Sequence, residues 1–458
     1  MKSIFFFFSL LSSLPIFAKD RPNIVFIFAD DWGWGDLGCH GHPYLKTPNI
    51  DRLANEGTDF HRFSVASGVC SPSRTAVMTG HFPARYNIDG HFAWVPSNQR
   101  RNMPDWLDPE APLLPRFLKQ SGYATAHYGK WHLANDMIPD SPFPSAYGYD
   151  DYGSYNCSGP QMFVHDDVKS AIPFMKKSHA EGKPFFINLW MHEPHTPFHV
   201  DPKLQKLFPD LPEADNIYAA TLYHADLRIG QLLDALDDLK ISDQTLVIFS
   251  SDNGPARGSP NSPIALSYDS ATGPGYGIGA AKGITGGRRA FKGALMEGGI
   301  GVPFIARWPG KISAGKVDKT SVLSAVDLLP TFCELGNVKL PRSYKPDGIS
   351  QVSALMGKGN PLRKKPIFWR MSAPWPANES KPDHWVAYAV VHEQWKLVLN
   401  KDQSHAELFD LVRDPLEKKN ISQEYPKIVV ALQDMLGEWL TSLPGKPTGK
   451  VFSKLRGQ

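Results

Sequence analysis

The sequence predicts an α/β fold built on a large, mostly parallel sheet with helices on both faces, and three observations predict it. First, residues 23–29 (Asn-Ile-Val-Phe-Ile-Phe-Ala), 185–191 and 245–250 are continuous apolar runs rather than alternating ones. Such runs mark strands buried on both faces, as in parallel sheets. Second, capped helical segments stand between these runs, the order expected of α/β chains. Third, each run ends in polar residues: Asp30-Asp31, His192 to His195, and Asp252-Asn253. In open α/β sheets the ligand site lies beyond the carboxyl ends of the strands, so the three clusters are expected to meet in one place.

Taken in order, the chain opens with Lys2, an apolar run over 4–14 and Pro15-Ile16-Phe17-Ala18. This pattern is that of a secretory signal at 1–18, cut after Ala18, and the run is too short to span a bilayer. The mature protein is therefore expected to be exported, to the periplasm or beyond, with no membrane segment. Lys+Arg total 49 against 46 Asp+Glu, a net charge of +3 that argues against nucleic acid as an obligate partner. A hydrophobic fraction of 42% argues against long disorder. Four cysteines, Cys39, Cys70, Cys157 and Cys333, are too sparse for a disulfide framework.

Thr47-Pro48 and Gly57 bracket a helix with Pro at its first position. Further helices are predicted from near Pro72 to Gly80 and over 113–120, 166–180, 214–239 and 324–335. Strands are predicted at 123–128 and 302–306. Residues 253–289 are rich in Gly, Ser and Pro and read as a long loop over the site. The tail changes style, with short strands at 366–370, 386–391, 395–399 and 407–411 and a helix over 425–443. We therefore divide the mature chain into a main domain at 19–361 and a small α+β subdomain with an antiparallel sheet at 362–458.

Two constellations carry chemistry. In Cys70-Ser71-Pro72-Ser73-Arg74, Pro72 suits the first turn of a helix, so Cys70 sits at or just before its N-terminus. Backbone N–H groups there favour an anion, and Arg74, one turn on, can share the face. A nucleophile beside such a cradle suits a tetrahedral oxyanion ester. Asp30, Asp31, Asp252 and Asn253 offer oxygen donors from two strand ends, a set that selects Ca²⁺ or Mg²⁺ over Zn²⁺.

The Cys-x-Pro-x-Arg core resembles the maturation motif of the formylglycine-dependent sulfatases, close to the arylsulfatase A and N-acetylgalactosamine-6-sulfatase group. Asp30-Asp31-Trp32-Gly33-Trp34-Gly35-Asp36-Leu37-Gly38 and residues 47–54 resemble the family's amino-terminal motifs. Gly129-Lys130-Trp131-His132-Leu133, Ser251-Asp252-Asn253-Gly254, Lys292-Gly293 and Glu297-Gly298-Gly299 resemble later ones, and Glu407-Leu408-Phe409-Asp410-Leu411 through Asn420 the closing one.

The resemblance implies an alkaline-phosphatase-like fold and oxidation of Cys70 to Cα-formylglycine by a maturase. It implies one Ca²⁺ held by Asp30, Asp31, Asp252, Asn253 and the hydrated residue 70. Arg74 and Lys130 would hold the hydrate and His132 would act as base. His195 would be the acid for the leaving oxygen, with His192 its rival, and Lys292 would contact sulfate. One hydroxyl of the hydrate would attack sulfur; the second would let inorganic sulfate leave. The implied substrate is a sulfated saccharide, of glycosaminoglycan or algal galactan type, and the residues expected to line its cleft are His91, Trp94, Arg100, Arg101, Trp106, Asn156 and the 255–289 loop. His81 and Ala134 depart from the family's usual Arg and Gly. Two other readings are a phosphonate monoester or phosphodiester hydrolase with the same nucleophile, and a glycan-binding protein with an unmatured Cys70.

Overall fold

In the computed structural model, which describes residues 21–259, 261–265, 275–358, 363–372, 378 and 381–457, the run at 23–29 forms strand β1 (Asn23–Ala29), buried along its whole length. It lies near the middle of an eight-stranded sheet. The other members are β2 (Thr58–Phe60), β4 (Ala124–Lys130), β5 (Asp151–Tyr155), β6 (Phe185–Trp190), β7 (Thr245–Ser251), β8 (Phe304–Arg307) and β9 (Lys316–Asp318), and the order is β5-β4-β6-β1-β7-β8-β2-β9. β5, β4, β6, β1 and β7 run parallel, and β8 is antiparallel to both its neighbours. β3 (Phe63–Ser64) and β10 (Leu323–Ser324) pair separately.

Two-sided burial explains the unbroken apolar runs. In β1, Ile24, Phe26 and Phe28 enter one core, whereas Val25, Ile27 and Ala29 enter the other. The second core is closed by the helix Glu213–Asp238, which buries Ile217, Leu222, Ile229, Leu232, Leu233 and Leu236. On the first face lies the helix Cys70–Thr79, all ten of whose residues are buried, ending at Gly80 in the left-handed region (φ 63°).

The tail forms a four-stranded antiparallel sheet, β11 (Ile367–Arg370), β12 (Tyr388–His392), β13 (Trp395–Leu399) and β14 (Ala406–Asp410), followed by the helix Pro426–Thr441. Its apolar residues belong to the same cluster as the first face of the large sheet. The Trp369 indole N–H also donates to the Val65 carbonyl at 2.8 Å.

Several boundaries differ from those expected. The helix expected over 324–335 is regular only from Leu328 to Leu335, because Ser324 and Asp327 form a reciprocal capping box that takes the chain in through a tight turn. β4 runs on to Lys130, past the expected 123–128, and the helix expected near Pro72 already includes Cys70. β2, β5 and β9 were not expected; they are short, and sequences such as Asp-Tyr-Gly-Ser-Tyr carry no apolar period. The leader at 1–18 and the expected subdomain boundary at 361/362 lie outside the described residues. All four cysteines are unpaired. No described helix is long and apolar enough to cross a membrane.

Candidate active site

Strand register assembles the site. Ala29 of β1 pairs with Ser251 of β7, so Asp30-Asp31 and Asp252-Asn253 leave the sheet side by side. The Asp31 N–H donates to Asp252 Oδ1 at 3.2 Å, and the Asn253 amide donates to Asp31 Oδ1 at 2.7 Å. β4, two strands from β1 and parallel to the strand between, ends in Lys130, whose ammonium pairs with Asp30. The loop after β6 is tied in where the Asp30 N–H donates to the Glu193 carbonyl at 3.2 Å.

Cys70 enters from the first residue of its helix. Its Sγ lies 3.6 Å from Asp30 Oδ1 and 3.5 Å from Lys130 Nζ. One turn on, Arg74 is fully buried; its guanidinium donates to Asp252 Oδ2 at 2.6 and 3.0 Å and to the Lys130 carbonyl at 3.3 Å. Lys292 arrives on a loop and lies 2.6 Å from Asp31 Oδ1. That loop seats against the turn before Cys70, where the Gly293 N–H donates to the Gly68 carbonyl at 2.7 Å. Only glycine fits at 68, since a Cβ there would lie 2.4 Å from the Ala294 carbonyl oxygen.

Single ligand atoms of Asp30, Asp31, Cys70 and His195 all lie within 4.8 Å of one another. His195 Nδ1 sits 2.6 Å from the Thr196 carbonyl, which assigns the proton to Nδ1 and leaves Nε2, 4.0 Å from Asp31 Oδ2, facing the site. His132 Nε2 sits 3.0 Å from the Phe92 carbonyl, so its Nδ1 is an acceptor; it is buried and has no partner. Phe92 is itself anchored beside the nucleophile position, because its N–H donates to Ser71 Oγ at 3.0 Å. Asp31 and His132 both hold positive φ, 68° and 50°, uncommon outside glycine and frequent where a site holds the backbone in place.

Comparison with known proteins gives the family. Residues 22–338 match the family model described as sulfatase. This chain belongs to the sulfatase family. Residues 288–442 of the sulfatase further match the C-terminal model of N-sulphoglucosamine sulphohydrolase. N-acetylgalactosamine-6-sulfatase of Canis lupus familiaris is 31% identical over 77% of this chain and 69% of its own. Arylsulfatase G of Rattus norvegicus is 30% identical over 74% and 69%. The crystal structure of Ps i-CgsB in complex with k-i-k-neocarrahexaose superposes with a TM-score of 0.75 at 26% identity, covering 95% of both chains. The family makes this protein a sulfuric ester hydrolase on an alkaline-phosphatase-like fold. The reading as a non-catalytic glycan binder and the reading as a phosphonate or phosphodiester hydrolase are both disfavoured by these matches.

The electrostatics of the sulfatase's site are those of buried, mutually dependent charges. Burial pushes the Asp30 carboxyl up, but Lys130, His195, Arg74 and Lys292 together hold it well below the usual range. Burial raises Asp31 despite Lys292, and raises Asp252 to about 6 with Asp30 adding to the shift. Burial, then Lys130, depress His132 and His195 well below the ordinary imidazole value, so both are neutral near pH 7. The Cys70 thiol is pushed up to about 12 by burial, against the pull of Lys130 and Lys292, and as a plain thiol it would be a poor nucleophile.

The donors present fit a hard divalent cation. Asp30 and Asp31 supply carboxylate oxygens, and Asn253 Oδ1 is a buried acceptor with no partner. Asp252 stands beside this group with one oxygen turned to Arg74.

The expected lining set divides. Trp94 is 50% exposed with Arg100 over its ring at 5.7 Å, and half-buried His91 is held below the usual imidazole range by desolvation and then by the charges of Arg101, Lys292 and Lys130. Trp106 does not line the cleft as expected: it is buried, and its indole N–H donates to the Lys450 carbonyl at 2.9 Å, because the C-terminal tail covers it. Asn156 offers its carbonyl to the His132 N–H, and part of the 255–289 loop lies outside the described residues. His192 Nε2–H donates to the Pro197 carbonyl at 3.0 Å, as a strand-end hydrogen bonder. His81 faces elsewhere, between Tyr86 and the Lys345 carbonyl, and Ala134 is fully buried.

Sequence reasoning missed Arg228. It is buried in the apolar stripe of the long helix and pairs with Asp167 and with Glu193 Oε2, the latter at 2.5 Å, so it holds the loop that presents His195. A lone Arg inside that stripe, between Leu227 and Ile229, was the available signal.

Proposed function

We propose that this sulfatase hydrolyses a sulfate monoester on a carbohydrate of glycosaminoglycan or algal galactan type, with residue 70 as nucleophile. The observation that carries the reading is the meeting of Cys70, Asp30, Asp31 and His195 at one buried point. The sugar class rests on the aminosugar sulfatase and the neocarrahexaose complex among its relatives. The Sγ of Cys70 stands where the oxygens of a matured residue would stand. Oxidised by a maturase to Cα-formylglycine, residue 70 would supply a geminal diol, whose second hydroxyl gives the release step that Cys or Ser lacks. Ca²⁺, held by Asp30, Asp31, Asn253 and Asp252 together with residue 70, would polarise the sulfate.

The chain's own residues do the rest. Three buried carboxylates (Asp30, Asp31, Asp252) face three cations (Arg74, Lys130, Lys292), so the protein charges cancel. Charge brought by a divalent cation is therefore left for an anionic ester and an anionic nucleophile. Arg74 and Lys130 orient residue 70, and Lys292, paired with Asp31, contacts the sulfate. His132 Nδ1, a free acceptor, takes the proton of the second hydroxyl. His195 presents Nε2 to the leaving oxygen; an incoming sulfate raises the proton affinity of that nitrogen, which takes up a proton from solvent and donates it to the leaving oxygen. The leader at 1–18 supports export, and a mature protein beginning at Lys19 is expected on N-terminal sequencing.

The test is mass spectrometry of the residue-70 peptide from protein made with its maturase, joined to parallel turnover of aryl sulfate, aryl phosphate and defined sulfated saccharides. Thiol-to-aldehyde conversion with sulfate turnover is expected. Unmodified Cys70 in native protein, or a strong preference for phosphate, overturns the proposal.

A further inference from the structure

A second group of ligating side chains lies outside the catalytic cluster, at the far edge of the sheet. β2 places Asp59 between Ile305 of β8 and the parallel edge strand β9, where Asp59 pairs with Val317. His61 opens the turn just after β2, its N–H donating to the Asp318 carbonyl at 2.8 Å. The turn brings the His61 ring back onto the Asp59 carboxylate. His40 comes to them from the turn Gly38–His40, which Asp51 fixes by accepting the Cys39 N–H at 2.9 Å. His40 Nε2 lies 2.8 Å and His61 Nε2 3.0 Å from the same oxygen, Asp59 Oδ2.

Three further observations point to a ligand rather than to a simple strut. Asp59 is 95% buried by its 5% relative exposure, yet its second oxygen, Oδ1, has no partner. His40 Nδ1 sits 2.6 Å from the Trp34 carbonyl, the outer contact that fixes a ligating imidazole with its Nε2 lone pair inward. His61 retains 22% side-chain exposure against 1% for His40, which leaves one side of the group open for entry and for a water.

We propose that His40, Asp59 and His61 form a second cation site that takes a borderline transition metal such as Zn²⁺ through two imidazole nitrogens and one carboxylate, with water in the open position. Two imidazoles disfavour Ca²⁺ and suit Zn²⁺, so the two sites on this chain select different ions. The site is structural in effect: it ties the segment that follows Asp30-Asp31 to the edge of the sheet. Trp34, three residues beyond Asp31, stacks on the His40 ring at 4.0 Å, with Arg288 over the indole at 4.7 Å.

The test uses the full mature protein, saturated with Ca²⁺ and stripped of transition metals, titrated with Co²⁺ by visible absorption and with Zn²⁺ by calorimetry. One equivalent is expected to bind with the intense bands of four-coordinate Co²⁺. Cys70→Ala should retain this uptake, and Asp59→Asn and His61→Gln should each weaken it by more than about tenfold. Zn²⁺ should raise the melting temperature of the parent and leave that of His61→Gln unchanged. His61→Gln, at the open side, keeps the result readable if Asp59→Asn fails to fold. No uptake beyond the catalytic site, or uptake that both variants retain, overturns the proposal and leaves a hydrogen-bonded His–Asp–His strut.

Discussion

Two of the sets of buried charges among the described residues are built to different ends. At the catalytic cluster the six charged groups come from strand ends, a helix and a loop far apart in the chain. Polar atoms beside them, Asn253 Oδ1 and His132 Nδ1, are left without partners. At the seam with the C-terminal sheet, Lys396 of β13 is fully buried with Glu297 Oε1 at 2.9 Å and Glu417 Oε1 at 2.7 Å. There the Glu297 N–H donates to Glu417 Oε2 at 2.6 Å, and Arg288 closes the group at 3.4 Å from Glu297. The seam joins charges to each other; the catalytic cluster holds bonding capacity in reserve. Burial and perturbed titration are common to both, so neither alone marks a site. Unspent donors and acceptors around a nucleophile position do.

The comparison breaks first at residue 70. Cys70→Ala should abolish sulfate turnover, by at least about 10⁵-fold in kcat, with the melting curve nearly unchanged. A variant that keeps measurable sulfatase activity would remove the reserve argument from this cluster. Next, removal of Lys396 should act on the fold and leave the chemistry alone. Lys396→Met leaves two carboxyls facing each other in the interior and should cost about 3–5 kcal/mol in denaturant unfolding at neutral pH, while KM and kcat per folded molecule stay near the parent values.

His132→Asn, a substitution that tolerates the left-handed backbone at this position, should lower kcat by about 10²–10⁴-fold and leave stability near that of the parent. Steady-state rates beside a thermal melt separate the two effects. The smallest effect is a titration at the seam. Burial, with Glu297 adding to it, pushes Glu417 up to about 7 against the pull of Lys396. The unfolded value is about 4.3, so the native state holds the extra proton across that window. Glu417's contribution is fully present below about pH 4 and is lost as pH rises through 7, with a slope of at most about 1.4 kcal/mol per unit. Glu417→Gln should flatten this part of the stability curve.

Much of the site could be read before any coordinates. Asp30-Asp31, Asp252-Asn253 and Cys70 to Arg74 announced themselves as polar residues closing apolar strands or opening a Pro-containing helix, because local rules of termination and capping operate within a few residues. Arg228 and Trp106 were misjudged or missed for the opposite reason. The one serves a loop far from it in sequence, through Glu193, and the other is covered by the chain's last residues. No local pattern reports a partner 35 or 344 positions away.

Period, cap and run length sufficed for the α/β layering, since burial of a strand on one or two faces is written in its own residues. The amino-acid order also picked out Cys70 and most of the acidic residues that the fold gathers around it. Which carboxylate meets which cation is another matter. It depends on the register of β1 against β7 and on Gly68 admitting the Lys292 loop, and these are contacts between segments that the chain brings together only on folding. The same holds for His40 beside Asp59 and His61: proximity in space, not order along the chain, gives three ordinary side chains a common point.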